Sequence, residues 1–328
     1  MEEIKSIMKE HRMLSDASLH IYSQTVKKLC RELTGESFQN TEFLLDVDKV
    51  LDCIKNKSLS TKKNYLSAVL VFLNPTGNSE DVATDLEPII QKYNNLLKNF
   101  HTQYMDHVNE QHKSAKESKN WVSMNDLLKI NVKYKNKVRR LGITSNSLKI
   151  NDKEKLDTLQ RYLVSSLYLF HPPRRCEYSD TDIISQRDYN NLSENVKENH
   201  NFLVVGGRSA KKKFFSFGNY KNKKHMGLQI IQIKKNLNTV LNLWIKHNPS
   251  KHLLLDSRGR QMSRNSLTKY LYKVFESSNA NISANMLRHI YLSEKYGHES
   301  KYIEKQSDAT AMGHSVQTQQ QHYVKTDS

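Results

Sequence analysis

The sequence predicts a mainly α protein in two units: a helical N-terminal bundle over residues 1–115, and a mostly helical second unit over residues 116–328 that carries a small three-stranded antiparallel sheet. Three observations predict it. Apolar residues recur at three- and four-residue spacing through the first third of the chain, with no strand pattern among them. A polar stretch without an apolar period, His112 to Asn120, divides the chain. Short apolar or alternating runs bounded by glycine occur only in the middle of the second unit.

The first helix places Leu19, Tyr22, Val26, Leu29 and Leu33 on one face behind Ser18 as its cap. A second runs from Phe43 to Ile54 with Val47, Val50, Leu51 and Ile54 together. A third follows Ser60, burying Tyr65, Val69 and Phe72 until Asn74-Pro75 stops it. The fourth is long, through Ile89, Tyr93, Leu96, Phe100, Tyr104 and Val108. Four amphipathic helices on short connections make a bundle. Trp121 opens the second unit. There Lys155 to Phe170 reads as a helix burying Leu156, Leu159, Leu163 and Leu167, ended by Pro172-Pro173. Phe202 to Val205, Phe214 to Phe217 and Leu228 to Ile233 read as the three strands. Two further helical stripes come after them, one through Leu237, Val240, Leu241, Trp244 and Ile245, the other through Leu267, Leu271, Val274 and Phe275.

The 328 residues carry a formal charge of +17, with a pI near 9.5 and a mean hydropathy of −0.72. A chain this basic collects on polyanions. At 37% hydrophobic and 26% charged it is globular rather than disordered. Cys30, Cys53 and Cys176 are widely spaced with no CxxC pair, which argues against a thiolate metal site and for a reduced, intracellular protein. No signal-peptide pattern fits the first twenty residues and no apolar run is long enough to span a bilayer, so the expectation is a soluble protein without a membrane partner.

Four residues suggest chemistry. Arg174 lies in HPPRRCEY, Arg288 in NMLRHIYLS, His314 in MGHS, and Tyr323 nine positions beyond that histidine. Two guanidinium groups and an imidazole can hold one phosphate, and a phenol can attack it. A phosphodiester is anionic and its pentacovalent transition state carries still more charge; arginine supplies paired donors that stay charged at any working pH. A tyrosine phenol of ordinary acidity is ionised roughly one time in a thousand at pH 7, so attack needs a base or strong local positive charge. Each motif alone is weak. Their order and spacing together are what carry weight.

These motifs resemble those of the tyrosine recombinase (phage integrase) family, over most of the chain. Where that family has Thr-Gly-x-Arg-x-x-Glu, the segment His171-Pro172-Pro173-Arg174-Arg175-Cys176-Glu177 keeps Arg-x-x-Glu and replaces Thr-Gly. The His-x-x-Arg-His box reads Asn285-Met286-Leu287-Arg288-His289, with an amide in place of the leading histidine. Gly313-His314 and Tyr323 match the third box without a gap. The PPRR form is similar to integrases of large eukaryotic DNA viruses, virophages and related mobile elements, which would put the protein in a host nucleus or cytoplasm.

The resemblance implies the tyrosine recombinase fold, with a SAM-like core-binding domain over residues 1–115 and a catalytic domain over 116–328 that clamp duplex DNA. It implies a homo-tetramer on two DNA sites, strand exchange through a 3′-phosphotyrosine, and no cofactor, metal or small-molecule substrate. Tyr323 is then the nucleophile, with Arg174, Arg288 and His314 on the phosphate. The family lysine, a general acid for the leaving 5′-oxygen, lies in a β-hairpin between the arginines; Lys221 is the assignment here, with Lys223 and Lys224 as rivals. Glu177 is expected to orient Arg174 or to pack structurally, not to do acid-base work. Asn285 can donate to phosphate but cannot take a proton, so either the positive pocket suffices to activate Tyr323, or a group such as His289 or His322 serves. Only Val324 to Ser328 follow the tyrosine, too few for the C-terminal helix that many relatives exchange. A type IB topoisomerase and a catalytically lapsed DNA-binding relative are the competing readings.

Overall fold

The computed structural model describes residues 8, 14–74, 86–110, 112–145, 150, 152–296 and 302–325. The chain divides into two compact units, Met1–Glu110 and Gln111–Ser328.

In the first unit, α1 (Asp16–Thr34) starts at Ser15 rather than Ser18: the Ser15 hydroxyl accepts from the Ser18 backbone N–H. The apolar run from Phe43 is broken. A 3₁₀ turn (Glu42–Leu44) precedes a shorter α2 (Val47–Ile54), because Asp46 caps the helix from within the run. Helix α3 (Leu59–Leu73) is capped by Ser58 and buries every residue from Ala68 to Leu73. Its stop at Pro75 lies outside the described residues. Helix α4 (Glu87–Asn109) opens with a proline in its first turn, where the missing N–H is harmless. The core holds Val26, Leu29, Val50, Ile54, Leu66 and Val69, and Tyr93 sends its hydroxyl to the Leu44 carbonyl at 2.7 Å.

The second unit begins just ahead of the polar stretch, at Gln111. Ser114 and Glu117 form a reciprocal capping box on α5 (Ala115–Asn120). Helix α6 (Met124–Arg140), which no apolar stripe in the sequence announces, packs on α7 (Lys153–Leu169). Helix α7 is the spine of this unit; its residues from Tyr162 through Leu169 are all buried. Then come β1 (Thr181–Ser185), α8 (Gln186–Asn190), α9 (Glu194–Asn199), β2 (Asn201–Val205) and β3 (Lys213–Phe217). After a helical turn α10 (Lys223–Met226) lie β4 (Gln229–Gln232), α11 (Lys235–His247), α12 (Arg264–Val274), α13 (Ala284–Tyr296) and α14 (Tyr302–Met312).

The expected three-stranded antiparallel sheet is corrected here. Four strands run in the order β1-β2-β3-β4, and β1 pairs parallel with β2, Thr181 opposite Asn201 and Ser185 opposite Val205. Only the β2-β3-β4 part is antiparallel. Residues 181–185 lack the flanking turn signals that mark the other three, and a parallel pairing needs a crossover, supplied by α8 and α9. Phe215 and Phe217 stack on one face of β3 and meet Tyr178, which joins the sheet to the core under α7. Among the described residues no helix is long and apolar enough to cross a membrane.

Gly218, just after β3, is the tightest point of the sheet edge. A Cβ there would sit 2.5 Å from the Glu198 carbonyl carbon and closer still to the Lys197 carbonyl oxygen, both backbone atoms of α9. Gly218→Ala is therefore expected to cost about 1–3 kcal/mol of stability, the range for an overpacked site. A lowered urea midpoint with unchanged slope checks it.

Candidate active site

Pro172 and Pro173 cannot continue α7, so the chain leaves the helix and turns Arg174 inward. That guanidinium is 1% exposed. It lies over the rings of Phe217 and Tyr220, at 4.3 and 5.0 Å from their centroids. Its Nη1 donates to Gln229 Oε1 at 2.5 Å and to the Ala311 carbonyl at 2.8 Å, and the buried Glu177 carboxylate stands 3.8 Å from Nε. Helix α13 supplies Arg288, 0% exposed, whose Nη1 donates to the carbonyls of Pro173 (2.9 Å) and Met312 (3.1 Å). On both arginines Nε and Nη2 make no hydrogen bond among the described residues. Burial works against the charge of each; Glu177 then favours it on Arg174, and Tyr323 on Arg288. Two desolvated cations, each with three of its five N–H donors unspent, are costly to a fold unless an anion completes them.

The C-terminus of α14 brings these donors together. A helix ends with four carbonyls lacking intrahelical partners. Here Thr310 accepts from Gln229 Nε2 (2.8 Å), Ala311 from Arg174, Met312 from Arg288, and Gly313 from Asn222 Nδ2 (2.7 Å). Gly313 turns the chain at φ +71°, and a Cβ there would press on Tyr220 at 3.3 Å and on Arg174 at 3.5 Å. Behind it the buried Asp308 locks α14 to α13 by accepting from Tyr296 (2.8 Å), Tyr291 (3.1 Å) and Lys295 (2.5 Å).

His314 follows Gly313 and is 1% exposed. Its Nδ1 donates to the Ser315 carbonyl at 3.0 Å, which fixes the tautomer and leaves a lone pair on Nε2. Nε2 has no partner among the described residues. Burial, then the charge of Arg288, pushes its pKa down to about 3, so the ring is neutral at physiological pH.

Tyr323 closes the constellation. After a short turn α15 (Val316–Thr318) capped by Ser315, the chain widens into a π turn over Gln319–Tyr323, with Val324 N bonded to the Gln319 carbonyl at 3.1 Å. The phenol ring packs with Leu292, Tyr296, Met312 and Val324. It meets the rings of His289 and His314 at 5.0 and 5.1 Å between centroids, and the Arg288 guanidinium lies 4.6 Å from its centre. Ser293 fixes its backbone: the hydroxyl donates to the Tyr323 carbonyl (3.2 Å) and accepts from Lys325 N (2.7 Å). The phenol oxygen itself accepts from Arg175 Nη2 at 3.4 Å.

The structure thus brings Arg174, Arg288, His314 and Tyr323 into one buried cluster. The remaining candidates stand differently. Asn285 is exposed, and its amide donates to His289 Nε2 at 3.1 Å. The same nitrogen lies 3.4 Å from Glu117 on α5, yet burial outweighs that carboxylate and depresses His289 to about 4. His322 is half-buried within the π turn. Lys221 is exposed on the β3–β4 connection, one residue before the Asn222 that grips Gly313. Its rival Lys223 is engaged with Asn199 (3.1 Å) and Glu198 (3.7 Å), and Lys224 is exposed. Lys213, which in sequence belongs to a basic run, is buried: it donates to the Arg208 carbonyl and to Asn238, both at 2.9 Å, and closes the β2–β3 turn. Among the described residues no three His, Cys, Asp or Glu side chains gather as a metal site.

Sequence reasoning missed Arg175, Gln229, Asn222 and Glu117. The doubled arginine in PPRR was the one available signal. The other three join the site only through tertiary contacts between distant segments.

His171, His289 and His314 share a consequence. Burial depresses them to about 4, about 4 and about 3. Between the unfolded value near 6.5 and those values the unfolded chain binds protons that the folded chain does not. Stability should therefore be intact above about pH 6.5 and fall as pH drops toward 4, by up to about 1.4 kcal/mol per pH unit for each group. Urea titrations at stepped pH check this, and His171→Asn should flatten the slope by about one proton.

No family model matches the chain, and no curated protein matches it. Among solved structures, one described as "Crystal structure of XerA recombinase" is similar over 99% of this chain and 94% of that one, with 12% identity and a TM-score of 0.37. A likeness this loose lends no weight to a functional reading, which has to stand on the residues.

Proposed function

We propose that this protein is a site-specific DNA recombinase of the tyrosine type, cutting and rejoining strands through a 3′-phosphotyrosine bond. One observation carries the reading: two fully buried guanidinium groups, each with Nε and Nη2 unspent, stand in the same cluster as a neutral imidazole and a tyrosine ring. Fixed donors of this kind suit a phosphate whose charge grows during reaction, because they need no reorganisation when it does. The basic composition fits a DNA partner.

In this mechanism the scissile phosphate binds between Arg174 and Arg288, which donate to its non-bridging oxygens. The Tyr323 oxygen forms the new P–O bond as the bond to the 5′-oxygen breaks. Burial and arginine charge depress His314; the bound phosphate neutralises that charge, so that Nε2 can take the phenol proton, and the resulting imidazolium becomes a further donor to the phosphate. Lys221 protonates the leaving 5′-oxygen from the β3–β4 connection, where Asn222 holds the neighbouring backbone against Gly313. The ester conserves the bond energy, so attack by a free 5′-hydroxyl reseals the strand. The N-terminal unit supplies a second DNA-contacting surface, and two sites are exchanged within a tetramer. The PPRR segment supports an integrase of a virus or mobile element.

The test is a pool of duplexes of randomised sequence, each nicked so that the cleaved end diffuses away. Covalent protein–DNA species on a denaturing gel, with the nucleotide mapped to Tyr323 by mass spectrometry, are expected. Binding with no covalent species would favour a lapsed relative. On a plasmid with two copies of the selected site, inversion or excision marks a recombinase; relaxation alone marks a topoisomerase.

A further inference from the structure

We propose that Arg175 is a catalytic residue of the strand-cleavage step, holding the negative charge that develops on the Tyr323 oxygen. The inference rests on the reading of Tyr323 as nucleophile and adds the group that makes its phenol competent. The chemistry leaves a gap at this point. The exposed Asn285 has no basic atom to offer, and its amide is spent on His289. The Tyr323 oxygen gives up its proton as the new P–O bond forms, and hydrophobic neighbours such as Leu292, Met312 and Val324 offer nothing to hold the charge that develops on it.

Arg175 is placed to hold that charge. Its Nη2 is 3.4 Å from the phenol oxygen, on the donor side of a hydrogen bond that strengthens when the oxygen becomes anionic. The residue is anchored for the purpose. Fully buried Tyr168 donates its hydroxyl to the Arg175 carbonyl at 2.5 Å, which pins the backbone to α7. Adjacent positions then diverge: Arg174 turns into the buried pocket, while Arg175 stays half-exposed and reaches the attacking atom. The one guanidinium stabilises the phosphate and the other the nucleophile.

The charged and titratable groups around that oxygen come from every neighbouring element. Arg174, Arg175 and Glu177 follow α7, Arg288 and His289 lie on α13, Glu117 on α5, His314 after α14, and Lys325 beyond the π turn. Glu177 faces Arg174 Nε at 3.8 Å, and Glu117 accepts from the Ser114 backbone N–H and hydroxyl, so each carboxylate is directed to a partner of its own. The proton of Tyr323 goes to His314 Nε2, and Arg175 remains a cation throughout; no other species is needed for balance.

The experiment measures covalent adduct formation on the nicked duplex at saturating protein, for wild type, Arg175→Gln and Arg175→Lys, from pH 6 to pH 9. Each protein is also prepared with 3,5-difluorotyrosine, a more acidic phenol, at position 323. Arg175→Gln should keep wild-type DNA affinity and form adduct roughly 10- to 100-fold more slowly at neutral pH, somewhat below the loss for a full oxyanion donor. The deficit should shrink as pH rises and shrink again with difluorotyrosine, and Arg175→Lys should recover part of the rate. The inference is overturned if Arg175→Gln cleaves at the wild-type rate. It is also overturned if the whole loss lies in DNA affinity, or if the loss is the same at every pH and with the acidified phenol, as misfolding would give. Absence of adduct with the wild-type protein would instead remove the reading of Tyr323, and this inference with it.

Discussion

Tyr323→Phe is expected to bind DNA as the parent does and to form no covalent adduct at any pH. The change deletes one oxygen at the edge of a packed ring. The ring keeps its neighbours Leu292, Tyr296, Met312 and Val324, and its contacts with His289 and His314. The substitution removes the long hydrogen bond from Arg175, which is half-exposed and can turn to water. Stability should move by about 1 kcal/mol or less. Loss of chemistry without loss of fold or binding separates a nucleophile from a structural aromatic. A phenylalanine variant that still formed adduct would place the covalent bond elsewhere.

Arg288→Lys is expected to lower the rate of adduct formation by about 10² to 10³, the usual penalty for removing a donor aimed at developing charge. Charge is retained, so the experiment isolates geometry. A lysine ammonium can reach toward the Pro173 or Met312 carbonyl that Nη1 now holds, but it cannot hold one and also present the coplanar Nε and Nη2 edge to an anion. Burial without the guanidinium's satisfied half also carries a stability cost. The rate should therefore be compared at equal folded fraction, with single-turnover cleavage as the readout. A change in DNA affinity at unchanged cleavage rate would place Arg288 in binding alone.

The sequence made some of this legible and hid the rest for physical reasons. The helical stripes of α1, α4, α11 and α12 were readable because each buries one face at a helical period, and α7 because its leucines keep that period although its second half is buried all round. Helix α5 was hidden because its stability comes from the Ser114–Glu117 capping box and not from an apolar face. Helix α6 was hidden because Leu127, Ile130 and Val138 are its few buried apolar residues, diluted among lysines. Strand β1 was missed because its pairing with β2 is parallel and non-local. Within the site, Arg174, Arg288, His314 and Tyr323 could be listed from order and spacing. Arg175 could not be separated from its neighbour, since only the turn after Pro173 decides which of two adjacent arginines faces the phosphate pocket. The tautomer of His314 was equally invisible, because a carbonyl in its own loop sets it.

The four capped carbonyls at the end of α14 bear on how such a protein would age. Arg174 and Arg288 hold that helix end in place, so selection for a folded chain retains them whether or not DNA is ever cut. A descendant that abandoned strand transfer would keep both for architecture alone, along with Gly313 and Gln229. Among homologues, then, the arginine pair without the tyrosine is a poor witness to living chemistry. The phenolic oxygen at 323, which contributes almost nothing to the fold, is the better one.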